Sequence, residues 1–396
     1  MPLNAAANKP IRLGLECFLA REGRAYKKAR LGLLANPAAL GPGYHHALDL
    51  LDDALPGAVI ALFGPQHGWA GEKQDNMVES PHGRDHQGRP IHSLYGETRR
   101  PSPAMLAGLD ALLVDLTDIG ARVYTFAHTL SHCLEEAGLT GLEVILLDRP
   151  NPLGGLDLEG HILAGDCRSF VGLHPLPMRH GLTLGELAVF INRHLPRPAP
   201  LKIIPCENWR RSQYFPETGL PWIMPSPNLP TFESAWVYPG QVIWEGLNIS
   251  EGRGTTRPFN IFGAPFINPR TVISHLKKFS LPGLAVRPVR FQPTFNKWAG
   301  QICQGLELFP LDKSFQPCFT SLSLLQVMLE LYPDSLKLKA PPYEYEYQRR
   351  PVDLILGRSD LYDRLAAGET AETMAAEWCR ELAGFKADWL DVLLYE

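Results

Sequence analysis

The stretch LFGPQHGWAGEKQDN, residues 62–76, ends an apolar run and then sets Gln66, His67, Glu72, Lys73, Gln74, Asp75 and Asn76 among three glycines. Carboxyl, imidazole and amide groups at this density can hold, donate or accept a proton, which is what general acid–base catalysis requires. A second dense stretch, WEGLNISEGRGTTRPFNIFGAPF (244–266), places Glu245, Asn248, Ser250, Glu251, Arg253, Thr255, Thr256 and Arg257 among glycines that admit close backbone approach. Trp236, Tyr238, Trp244, Phe259 and Phe262 flank or lie within it. Aromatic faces beside convergent polar groups suit a sugar, whose ring stacks while its hydroxyls hydrogen-bond. PSPNLPTFES (225–234) adds Ser226, Asn228 and Thr231 on a proline-stiffened segment, and MRHGLTLGE (178–186) adds Arg179 and His180 before a helix start.

Two enzyme chemistries fit these residue types. In glycoside hydrolysis one carboxylic acid protonates the leaving oxygen, while a second carboxylate, or the substrate's own 2-acetamido group, completes the displacement. Candidate carboxyls are Glu72, Asp75, Asp115, Asp118 and Glu251. In metal-assisted hydrolysis His67, Asp115, Asp118, His128 and Asp148 would hold a cation, but no H-x-H or H-E-x-x-H spacing supports it, and no metal is expected. A carbohydrate-binding module that keeps the cleft without catalysis is the alternative outside enzymology.

The elements that must position these groups alternate in type. Strands are predicted within ARLGLLANPAAL (29–40, ending at Asn36), AVIALFGPQHG (58–68), PIHSLYG (90–96), ALLVDLTDIG (111–120) and LEVILLDRPNP (142–152). Helices are predicted over 44–55, 102–110 behind the Ser102–Pro103 start, and 122–138. This alternation implies a parallel sheet covered on both faces. Ligands of such sheets bind beyond the carboxyl ends of the strands. Here those ends carry Asn36 and Pro37; Pro65, Gln66 and His67; Asp115 and Asp118; and Asp148, Arg149 and Asn151. Neither G-x-G-x-x-G nor G-x-x-x-x-G-K-[ST] occurs, so no nucleotide cofactor is expected. From about residue 165 proline-rich connections shorten the elements, although TLGELAVFINRHL (183–195) reads as a capped helix. The chain therefore divides into a Rossmann-like α/β domain (1–164) and a second α/β domain of α+β type (165–396), which ends in an amphipathic helix and a short closing strand.

At 396 residues with a formal charge of −4 and no Lys/Arg run, the chain is not built for nucleic acid or an anionic membrane surface. The N-terminus shows no basic start followed by an apolar stretch, so the reading is a cytoplasmic protein, with a trimmed mature secreted form as the alternative. The seven cysteines are scattered without C-x-x-C spacing, in keeping with reduced thiols.

With these motifs in hand, the chain resembles the exo-β-N-acetylmuramidase family, glycoside hydrolases long catalogued as a domain of unknown function. GLLANPAAL, LFGPQHG, PIHSLYGETRRPSPAML, DLTDIGARVYTFAHTL, LLDRPNPLGG, PLPMRHGLTLGELA, MPSPNLPTFESAWVYPG, EGLNISEGRGTTRPFNIFGAPF, FQPTFNKWAGQICQGLEL and PPYEYEYQRRPVDLILG carry the likeness, in family order and over nearly the whole chain. The resemblance implies an active-site cleft between the two domains and removal of N-acetylmuramic acid from the non-reducing end of peptidoglycan fragments, with a small saccharide or muropeptide as partner. It also implies that Arg253 or Arg122 grips the substrate's lactyl carboxylate in a bidentate way. The family's Gly-Pro-Glu-His-Gly glutamate, its proposed catalytic residue, is replaced here by Gln66, which cannot deliver a proton near neutral pH. Glu72 in the same loop is then the expected replacement acid, or Glu251 with Asp115 or Asp118 acts on a related glycoside; Glu72 and Glu251 are the first carboxyls to test, with His67 and Asp115 orienting them or the substrate. A related glycoside as substrate and a degenerate binding member are the other readings. Gln66, Asp118, Arg122, Tyr124, His128, Asn151, His180, Asn228, Asn248, Arg253 and Thr255 are the expected substrate contacts.

Overall fold

Leucine-rich, β-branched segments with no polar alternation form the strands of a sheet whose two faces are both covered, as parallel sheets require. In the computed structural model, which describes residues 9–396, β1 (Leu31–Ala35), β2 (Val59–Gly64), β3 (Gly83–Arg84), β4 (Pro90–Ser93), β5 (Ala111–Asp115), β6 (Glu143–Leu147) and β7 (Leu201–Ile204) build a seven-stranded sheet in the order β3-β4-β2-β1-β5-β6-β7. Only the edge hairpin β3–β4 is antiparallel. The six parallel strands, counted along the chain, lie in the order 3-2-1-4-5-6, the doubly wound Rossmann arrangement. The order reverses between β1 and β5, where Ala35 pairs with Asp115. The first eight residues of the stretch read for a leader lie outside the described residues.

Side chains leave this sheet alternately. Leu31, Leu33, Ala35, Leu62, Leu113 and Ile145 enter one buried cluster, and Leu34, Phe63, Leu112, Val114 and Val144 enter a larger one on the other face. The expected helices cover it: Ala47–Ala54, Pro103–Leu106 with the Ser102 hydroxyl accepting from the Met105 N–H, and Leu184–Arg193 with the Thr183–Glu186 capping box. The helix predicted from residue 122 starts later, at Phe126–Thr140. Residues 121 and 122 are held instead by a bridge between Ala121 and Arg179 and by the Arg122 N–H on the Met178 carbonyl.

The second sheet is antiparallel, in the order β8 (Ile261–Ala264), β10 (Cys303–Pro310), β9 (Leu284–Phe291). Helices Phe232–Gln241 and Pro317–Leu331 pack closely beside it. Gly240 makes that approach possible, because a Cβ there would fall 1.9 Å from the Pro317 carbonyl oxygen. β7 completes the first sheet although it lies past the boundary expected at 164/165. The closing strand expected at the C-terminus does not form. After helix Ala371–Leu390 the tail is tied by side chains rather than by a ladder, with the Leu394 N–H on Glu186 and the Tyr395 hydroxyl accepting from the Cys206 N–H.

No described helix is long and apolar enough to cross a membrane.

Candidate active site

The loop after β2 carries Gln66 and His67 inward, with His67 in the left-handed region at φ 74°. Gln66 is buried, and its amide is fixed from both ends. The Thr125 hydroxyl donates to Oε1, while Nε2 donates to the Tyr95 hydroxyl oxygen at 3.2 Å and to Glu344 Oε1 at 3.1 Å. The Tyr95 hydroxyl in turn donates to Glu344 Oε2 at 2.6 Å. Glu344 arrives from a segment 278 residues away, with its backbone at φ 46°. Burial pushes its carboxyl up; the Tyr95 and Gln66 hydrogen bonds oppose the push and the nearby charge of Glu245 adds to it, leaving a pKa of about 7.

Glu245, on the same cavity, is driven the other way. Burial again disfavours its charge, but Arg253 Nη2 donates to Oε1 at 2.7 Å, and Asn76 Nδ2 and the Tyr343 hydroxyl each donate to Oε2 at 2.8 Å. The net result is a carboxyl held below the ordinary range. His67 donates from Nδ1 to the Lys73 carbonyl at 2.7 Å, and burial lowers its pKa to about 4. Its imidazole is therefore neutral near pH 7, with the Nε2 lone pair free of that proton. Gln66, His67, Asn76, Tyr124, Ser226, Asn228, Tyr238, Glu245, Arg253, Phe259, Tyr343 and Glu344 all line one cavity of about 30 Å³. Two buried carboxyls with opposed pKa shifts on one cavity can serve as a proton donor beside an ionised partner.

Comparison with known proteins bears on this arrangement. Residues 31–233 match the N-terminal domain of exo-β-N-acetylmuramidase NamZ, and residues 236–395 match its C-terminal domain. The Bacillus subtilis (strain 168) protein named peptidoglycan β-N-acetylmuramidase NamZ is 36% identical over 394 residues, spanning 99% of this chain and 93% of that one. The chain belongs to the exo-β-N-acetylmuramidase family. Two crystal structures of DUF1343 family proteins from Bacteroides fragilis share its fold. One has a TM-score of 0.88 at 30% identity, the other 0.74 at 26%, and each covers 98% of this chain and 99% of its own.

Of the residues expected from sequence, Gln66, His67, Tyr124, Asn228 and Arg253 meet at the cavity. The others take different places. Glu72 is exposed and does not line it. Glu251 is buried between Lys297 Nζ at 2.6 Å and Arg253 Nε at 3.2 Å. Asp115 is bound by Arg149, whose Nη2 lies 3.0 Å from Oδ2. Arg122 donates to the Ile355 and Leu354 carbonyls at the end of helix Pro351–Leu356, so its guanidinium serves as a helix cap. His128 Nε2 contacts the Arg122 carbonyl, His180 Nδ1 accepts from the Leu182 N–H, and Asn151 bridges the Leu182 carbonyl and the Leu153 N–H. Asn248 ties Ser335 to Lys337, and Thr255 closes a turn on the Gly252 carbonyl. Asp118 accepts from the Gly120 N–H, and burial raises its pKa to about 7.

The residues considered for a metal are dispersed among these partners. Among the described residues no three His, Cys, Asp or Glu side chains are gathered as a ligand set.

Sequence reasoning missed Glu344, Tyr343, Tyr95 and Thr125. Glu344 sits in PPYEYEYQRR, where a carboxyl between tyrosines was the available signal, but nothing local connects it to Gln66. Glu245 stood in the dense 244–266 stretch, in the short helix Val242–Gly246, and was passed over for Glu251, the same residue type six positions on.

Proposed function

We propose that this chain is an exo-acting glycosidase that releases N-acetylmuramic acid from the non-reducing end of peptidoglycan fragments by acid-assisted cleavage, in a cleft between its two halves. The observation that carries the reading is the pairing of Glu344, at about pH 7, with the depressed Glu245 on the cavity that also holds Gln66. Glu344 protonates the glycosidic oxygen as the C1–O bond breaks, and the water that then forms the new C1–O bond returns a proton to the Glu344 carboxylate. Glu245 stays ionised and supports the positive charge that develops on the sugar ring. Gln66 and Tyr95 hold the Glu344 carboxyl in place, so the proton-transfer role rests on Glu344 rather than on Glu72, Glu251 or Asp115. Arg253 Nη1, buried without a hydrogen-bond partner, is the donor for the lactyl carboxylate.

The cavity has room for little more than ordered water, and His67 and Asn76 of the 67–77 loop form part of its wall. That loop is latched by the Asn228 side chain on the Gln74 carbonyl and by the Asn296 amide on Asp75. A reducing compartment suits the seven free thiols, six of them buried.

The test is incubation of the purified protein with a chromogenic 2-acetamido-2-deoxy-3-O-lactyl-β-glucoside beside the matching N-acetylglucosaminide. Turnover of the lactyl substrate, abolished in Glu344→Gln, is expected. Turnover of neither, with free N-acetylmuramic acid still bound, would replace the enzyme by a binding member of the family.

A further inference from the structure

A second and larger cavity, about 260 Å³, opens at the carboxyl ends of β1, β5 and β6, where the strand order reverses. Open α/β sheets bind ligands at this point. No residue of the proposed chemistry lines it. Its walls are Tyr44, Phe215, Trp222 and Ile223, with the Arg149 guanidinium and the Glu16 carboxyl as polar groups. Tyr44 is 68% exposed, and Trp222 packs edge-on against Phe215 at 5.0 Å between centroids. Arg149 spends Nε and Nη2 on Asp115 and on the Leu40 carbonyl, so Nη1 is left for a ligand. Aromatic faces with one donor group and one acceptor group, nearly balanced in charge, match the stacking and hydroxyl needs of a sugar.

The cavity is coupled to the catalytic one by a single stiff segment. Leu220, Pro221, Trp222 and Ile223 line the first, and Ser226, Asn228 and Leu229 line the second. Ile223 and Ser226 are three residues apart, at most about 10 Å of extended chain. The Trp222 indole N–H donates to the Leu229 carbonyl at 3.1 Å, which locks the two walls together.

We infer that this groove is a distal aglycone subsite, which takes the sugars beyond the first one on the reducing side of the bond that Glu344 cleaves. The inference rests on the muramidase reading for the identity of the glycan and on the groove's own residues for its location. An enzyme with such a subsite prefers longer glycans over a disaccharide.

The experiment compares kcat/KM of the full-length enzyme on a disaccharide and on a tetrasaccharide, each beginning with non-reducing N-acetylmuramic acid. Wild type is expected to favour the tetrasaccharide. Tyr44→Ala and Ile223→Ala are expected to lower kcat/KM on the tetrasaccharide about 2- to 10-fold through KM, the loss of one stacking contact, and to leave the disaccharide unchanged. Indifference of wild type to length, or an equal loss on both substrates, would overturn it. If neither glycan is cleaved, the muramidase reading fails by itself, and calorimetric titration still decides the groove. Tighter binding of the tetrasaccharide that Tyr44→Ala removes supports the subsite, and equal binding of both glycans refutes it.

Discussion

Replacing Tyr95 by Phe removes one hydroxyl and tests the assignment of Glu344 more sharply than deleting the carboxyl does. The Tyr95 hydroxyl donates to Glu344 at 2.6 Å and so favours the ionised carboxylate. Without it the proton is held more tightly. Hydrogen bonds to charged groups contribute about 1.5–3 kcal/mol, and one pKa unit corresponds to about 1.36 kcal/mol, so the pKa should climb from about 7 by about one to two units. A general acid works only while protonated, so the alkaline limb of kcat/KM should move upward by the same amount. The assay is kcat/KM for a muramyl disaccharide across the range from about pH 4 to 10, with Glu344→Gln alongside. That variant should lose the limb and about 100- to 10,000-fold in rate, the usual contribution of general acid catalysis. An alkaline limb unmoved by Tyr95→Phe, or a wild-type profile in Glu344→Gln, would refute the assignment.

Four further outcomes are expected. Gln66→Glu places a second carboxyl where an amide now sits 3.1 Å from Glu344; two carboxyls that close cannot both ionise, so the alkaline limb should move to higher pH, as kcat/KM profiles will show. Arg253→Ala leaves Glu245 buried without its cation and should cost about 3–5 kcal/mol in urea unfolding, much of which Glu245→Gln in the same chain should restore. Asp118→Asn should gain stability over wild type as the pH rises. The folded protein holds the Asp118 proton up to about pH 7 while the unfolded chain releases it near the ordinary carboxyl value of 3.8, so wild-type stability falls across that window and the variant lacks this contribution. Equal pH slopes in paired urea titrations would contradict this. Glu72→Gln should leave kcat/KM unchanged, because that side chain stands outside the cavity.

The strands and their polar carboxyl ends were legible because each rests on local patterning. Short apolar runs such as LGLLA and ALLV, four or five residues long and bounded by polar turn residues, read as strands buried on both faces, and the Thr183–Glu186 box starts its helix with atoms four residues apart at most. Helix Phe126–Thr140 begins late because Ala121 and Arg122 are claimed by the distant residues Met178 and Arg179. The same distinction separates the arginines. Arg122 and Arg253 look alike in sequence, but one caps a helix through the Ile355 carbonyl and the other faces Glu245.

By itself, then, the sequence determined a parallel sheet covered on both faces, its polar strand-end edge and the dense loop around Gln66, since periodicity and turn chemistry act over a few residues; the strand order, with β7 at its far edge, came only from the tertiary structure. It also carried the family likeness, which the comparisons bear out. Only the tertiary structure decided which carboxyls share a cavity. Glu344 and Gln66 touch across 278 residues of chain, and the burial and neighbouring charge that set the Glu344 proton near pH 7 exist only once those segments have packed together.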